Sequence, residues 1–174
     1  MLCTDKMADK QATVYIIDQG RSMGQKHNGR AESDLDYGMR YIWDKITTTL
    51  LASRATWTVG VVGLRTDETE NPLQEDEGYA HISIMQPLGP MKMPQLRRLQ
   101  NSIKVNKTET GDAISAIIVA IEMIMTFTKN PRGQPLKYSR KIVLMTNGRG
   151  QMDPDDIDEV SKKLNEDGIG LVVV

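Results

Sequence analysis

Asp18 leaves an apolar run, Ala12-Thr13-Val14-Tyr15-Ile16-Ile17, and Gly20 and Ser22 follow it. Carboxylate and hydroxyl oxygens at the mouth of a buried strand are hard donors, the kind that hold Mg²⁺ in near-octahedral geometry. Two later segments offer related groups, Thr108-Glu109-Thr110-Gly111 and Met145-Thr146-Asn147-Gly148. Other chemistries find less support. His27 and His81 have no Cys, His or acid at ligand spacing. Cys3 has no nearby basic partner that would make it a nucleophile. The acids Asp153, Asp155, Asp156 and Asp158 fit the start of a helix better than acid/base work. The run Gly20-Arg21-Ser22-Met23-Gly24-Gln25-Lys26 lacks the spacing of a phosphate loop and the Ser or Thr that should follow its Lys. No cofactor is expected.

The elements that would position these groups can be read from periodicity. Ala12 to Asp18 is a strand, followed by a polar loop over 19 to 31. From Glu32 to Ala52, Leu35, Met39, Ile42, Ile46 and Leu50 mark one helical face. Thr56 to Thr66 reads as a buried strand. Asp67 to Tyr79 is an acidic loop, and Ala80 to Leu88 a half-buried strand that returns antiparallel at the sheet edge. A short helix is expected over Gln95 to Ile103. A mostly buried one is expected over Gly111 to Thr128, where Ile114, Ile118, Ile121 and Met125 recur. After a strand at Lys141 to Thr146, Asp153-Pro154 predicts an N-cap and first turn. The stripe Ile157, Val160, Leu164 then runs to Gly168, and Ile169 to Val174 reads as another buried strand. Such alternation predicts a mostly parallel α/β sheet covered on both faces. Its site should lie at the carboxyl ends of the strands, where Asp18, Thr108 and Asn147 are expected to meet.

Composition narrows the class. A chain of 174 residues fits one domain with a sizeable core. The net charge is −1 and the sequence pI about 6.1. No basic stripe is evident, so this segment is not expected to grip nucleic acid. A single cysteine excludes a disulfide framework. No apolar run approaches a membrane span, and the charged first ten residues do not read as a signal peptide. The sequon Asn106-Lys107-Thr108 therefore carries no weight. A reducing compartment is expected.

The three oxygen-bearing loops resemble the metal-binding site of von Willebrand A domains. That resemblance implies Asp18, Ser22, Thr108 and Asn147 as remnants of the ligand set. Two positions depart from it: Gly20 replaces a hydroxyl residue, and Asn147 replaces an acid. Metal is accordingly not expected to bind. The preferred reading is that Asp18 caps loop amides and the hydroxyls satisfy turns.

A second resemblance is more specific. Asp18-x-Gly20-x-Ser22-Met23, the strand Val59-Gly60-Val61-Val62-Gly63-Leu64, and above all Arg65-Thr66-Asp67-Glu68-Thr69-Glu70-Asn71-Pro72-Leu73 resemble the N-terminal domain of the larger subunit of the Ku heterodimer, in a fungal form. The resemblance runs from about Val14 to the C-terminus. It implies a von Willebrand A-like (Rossmann-like) domain over 12 to 174, after a polar tail over 1 to 11, with a final helix and strand still to follow. It implies a nuclear parent protein that binds DNA ends in non-homologous end joining and acts at telomeres. DNA would be contacted only through parts of that protein outside this segment. The partners implied are the smaller Ku subunit and short peptides of repair or telomere proteins. No membrane partner and no enzymatic role are implied, although some family members carry a helicase label. Leu73, Tyr79, Asp112 and Ile118 are carried over as the peptide-binding residues. Val143 stands where relatives have an acid on the fourth strand. The rival reading is a working Mg²⁺-dependent adhesion domain of another intracellular protein.

Overall fold

A computed structural model of the chain describes residues 10–27, 29–150 and 152–174. Cys3 and most of the polar tail lie outside the described residues. The elements run β1 (Gln11–Asp18), α1 (Asp34–Leu51), β2 (Trp57–Leu64), β3 (Ile82–Pro90), α2 (Met93–Ser102), α3 (Ala113–Phe127), β4 (Ser139–Met145), α4 (Ile157–Glu166) and β5 (Ile169–Val173), with single 3₁₀ turns at Arg21–Gly24 and Glu77–Tyr79.

The strands form one five-stranded sheet in the order β3-β2-β1-β4-β5. All neighbours are parallel except β2 and β3. The edge hairpin read from the sequence is therefore present. Alternation along β1 explains the two cores. Ala12, Val14 and Ile16 point to one face, where α3 and α4 contribute Ile117, Val119, Ile121, Ile124, Val160 and Leu164. Tyr15 and Ile17 point to the other, against Met39, Ile42 and Ile46 of α1 and Leu96 and Leu99 of α2. Burial and the neighbouring Tyr41 raise the Tyr15 phenol to about 12. Eight of the fifteen residues of α3 are buried, which accounts for its nearly uninterrupted Ile/Val/Ala sequence.

The helix starts follow local chemistry. The Ser33 hydroxyl accepts the Asp36 amide at 3.1 Å, with Asp34 and Asp36 in the first turn of α1. Asp112 caps α3 by accepting the Ser115 amide at 2.6 Å. The expected cap at Asp153 is not formed. α4 starts at Ile157 with Asp156 at the cap position, and no side chain caps it. The Asp153 carboxylate instead accepts the Asp155 amide at 3.1 Å, closing a turn ahead of the helix. β5 also departs from expectation. Only Ile169 is buried, because β5 is a sheet edge and Leu171 to Val174 remain exposed.

From β1 the chain crosses to β2 on one side of the sheet, and from α3 it returns to β4 on the other. The carboxyl ends of β1 and β4 thus flank the switch point where α/β sheets place ligands. Asp18 and Thr146 stand there.

Candidate functional site

At the switch point the Asp18 position is filled from within, while Asp34, His27, Arg30, Asn147 and Arg149 line an open hollow of about 480 Å³ beside it. Asp18 is fully buried. Its Oδ1 accepts the Gly20 amide at 3.0 Å. Its Oδ2 accepts the Thr146 hydroxyl at 2.6 Å and the Arg65 guanidinium at 2.5 Å. Capping of a loop amide was legible in the sequence; the ion pair was not. Arg65 lies just after β2 with a positive φ of 58°. That left-handed kink, uncommon for a non-glycine residue, turns its side chain back over the strand ends. The guanidinium side chain is 2% exposed.

The other remnants do not converge on Asp18. The Thr108 hydroxyl pairs with that of Thr110 at 2.7 Å and accepts the Thr110 amide, while the Thr108 carbonyl accepts the Arg21 amide. The Ser22 hydroxyl donates to Asn147 Oδ1 at 3.4 Å. The Asn147 amide donates to the Ser22 carbonyl at 3.2 Å and to Asp34 Oδ2 at 3.1 Å. The three loops meet, as expected, but each ligand-type side chain is turned to a neighbour. These residues do not fit Mg²⁺: a guanidinium already occupies Asp18, and among the described residues no second carboxylate faces it.

Asp34 anchors the outer wall. His27 Nε2 lies at 3.0 Å and Arg30 at 2.6 Å from its carboxylate. Burial alone would raise its pKa, but the Asn147 hydrogen bond and the charges of His27 and Arg30 outweigh burial and lower it. His27 therefore has an acid partner that spacing did not reveal. Among the described residues no group of three or more His, Cys, Asp and Glu could hold a metal.

The signature loop is a scaffold. Asn71 Nδ2 donates to the carbonyls of Tyr79 at 3.1 Å and Ile82 at 2.7 Å, and its Oδ1 accepts the Leu73 amide. Thr69 accepts the His81 amide, Thr66 meets Ser83, and Asp67 accepts the Lys107 amide. Each of these polar residues holds loop to strand or loop to loop. Leu73 and Tyr79 are thereby fixed against the α3 core.

Beyond them lies an open surface. Tyr79 and Ile118 line one groove of about 360 Å³ with Ile121, Val160 and the carboxylates of Glu122, Asp156 and Glu159. Lys163 is also there, but Asp167 holds it at 3.0 Å. Leu73 lines an adjoining apolar groove of about 420 Å³ with Ile84, Leu88, Met123 and Phe127, and Glu122 borders both. Asp112 lies in neither. It faces a third hollow, and its two oxygens accept the Ser115 and Asp153 amides. Burial and the carboxylates of Asp76 and Asp156 raise the Tyr79 phenol above its usual pKa, so it stays protonated at neutral pH. The acids of α4 escaped sequence reasoning because they join the groove only once α4 packs beside α3. The spacing of Ile118, Ile121 and Glu122 was the available signal.

A sequence profile of the Ku70/Ku80 N-terminal alpha/beta domain matches residues 12–172. The chain belongs to that family. Relatives named ATP-dependent DNA helicase II subunit 2 are 58% identical in Neurospora crassa and 55% identical in Chaetomium globosum, each over 170 residues, or 97% of this chain. The Schizosaccharomyces pombe relative of the same name is 34% identical over 167 residues. The relatives are fungal, as the resemblance implied. This Ku domain spans about 23% of the Neurospora relative's length. Among solved structures the SpRpn10 VWA domain superposes with a TM-score of 0.62 at 11% identity, covering 95% of this chain and 88% of that one. This establishes the von Willebrand A fold.

Proposed function

We propose that this Ku domain is a non-catalytic docking module. It recruits short peptides of repair or telomere proteins to a nuclear, DNA-end-binding heterodimer formed with the smaller Ku subunit. The observation that carries this reading is the Tyr79–Ile118 groove, which is apolar at its floor and acidic at its rim. Peptide grooves pair apolar pockets with a few fixed charges. Glu122, Asp156 and Glu159 favour a peptide with basic residues beside an aliphatic or aromatic anchor. That role fell to Asp112 in the sequence reading. Asp112, committed to two backbone amides, now supports the groove wall by holding Asp153 and the approach to α4. Leu73 extends the apolar floor beyond Glu122.

The helicase name of the relatives finds no counterpart here, since no phosphate loop occurs in the sequence. A net charge of −1 gives little counterion release for direct DNA binding. DNA contact therefore belongs to parts of the parent protein outside this segment. Metal-dependent adhesion loses its support, because Asp18 faces Arg65.

Tyr79→Ala tests the reading in the full-length heterodimer, with a fluorescent peptide carrying arginines beside one tryptophan as probe. A central aromatic anchor usually carries a large share of such an interface. The variant should bind the peptide on the order of tenfold more weakly and still bind DNA ends. Unchanged peptide affinity in a folded variant would move the site elsewhere.

A further inference from the structure

We infer that Arg65 is a resident cation standing where the fold would otherwise place a metal ion, and that it ties the three site loops together permanently. This holds whether or not the groove binds peptides. The geometry carries it through three glycines. A Cβ at Gly20, in the loop after β1, would come within 2.8 Å of Arg65 Cδ and 3.2 Å of Asp18 Oδ1. One at Gly111, in the loop before α3, would sit 3.2 Å from Arg65 Cγ. One at Gly150, in the loop after β4, would overlap the guanidinium carbon itself. Each loop that would give a metal an oxygen gives the arginine room instead.

The loss of a hydroxyl at position 20 is then not decay. It is the steric condition for the arginine to enter. The left-handed backbone at Arg65, the Asp18 ion pair and the three glycines describe one exchange, an internal cation for an external one. A guanidinium is always charged and suits buried carboxylate pairing. Unlike Mg²⁺, it cannot dissociate, so loop geometry at this crevice is independent of divalent ions.

The test is a double-mutant cycle in the 174-residue chain, read by thermal melting. Arg65→Met leaves Asp18 buried without its cation and should lower the melting temperature on the order of 10 °C. Asp18→Asn/Arg65→Met removes both charges and keeps an acceptor for Gly20. It should recover at least half of that loss. If the single variant does not fold, recovery of a cooperative melt by the double variant gives the same support. A melting temperature unmoved by Arg65→Met would overturn the inference, as would a double variant no better than the single.

Discussion

The switch-point crevice and the α3–α4 groove lie on one domain yet follow opposite rules. In the crevice the carboxylates have cationic partners inside the protein: Asp18 with Arg65, Asp34 with His27 and Arg30. In the groove three carboxylates surround exposed edges of Tyr79 and Ile118, and Lys163 is held by Asp167. A surface whose carboxylates are paired from within contributes to folding. One left apolar and acidic is where we propose that peptides dock. The difference teaches that a position where the fold can hold a metal ion is, in this chain, closed by a side chain of its own.

Substitutions can break that contrast, and the largest effect belongs to the crevice. Asp18→Ala strands a buried guanidinium and should cost about 3–5 kcal/mol in urea unfolding; a midpoint near the parent's would mean the pair is not structural. Gly150→Ala drives a methyl group into the same guanidinium, at roughly 1–3 kcal/mol. Gly148 is the control. Its φ is +71° and its surroundings are open, so Gly148→Ala should lose only about 1 kcal/mol, from the left-handed backbone. If the two glycines behave alike, packing on Arg65 is not what position 150 reports. Asp153→Ala is expected to stay within about 0.5 kcal/mol, since that residue closes an exposed turn and caps no helix. A loss near 1 kcal/mol would restore it as a cap.

The acid side sharpens the contrast further. Asp34 has a folded pKa below its ordinary 3.8. Its contribution is therefore fully present above the unfolded value and lost as pH falls through the lower, folded one. Asp34→Asn should be less stable than the parent at neutral pH, with the gap closing below the usual carboxylate range. A gap that persists at low pH would place the Asp34 effect in packing rather than ionisation.

Much of this architecture is legible in the sequence. The 3.6-residue spacing in α1 and α3 and the Val-rich run of β2 gave the elements, and alternation gave the antiparallel edge. The altered positions 20 and 147 were the sequence signal against a metal site. Arg65 was not legible, because the strand expected over Thr56 to Thr66 ran straight through it, whereas β2 ends at Leu64. Only the left-handed turn brings it inward, and backbone angles are not written in residue types. The three glycines were visible, but nothing in their separation along the chain said they share one neighbour. The start of α4 misled because Asp153-Pro154 has the right residue types for a cap, while Asp112 and the Asp155 amide claim Asp153 first. β5 read as buried because its residues are apolar; within these 174 residues it is the outermost strand and only Ile169 is covered.

Calorimetric titration of the 174-residue chain with Mg²⁺ addresses the filled Asp18 position most directly. Asp18 already faces Arg65 and Thr146, and too few anionic oxygens remain to build an octahedral shell. The expected result is no binding heat up to millimolar Mg²⁺, identical for the parent and for Asp18→Ala. Sub-millimolar binding by the parent that Asp18→Ala abolishes would contradict it.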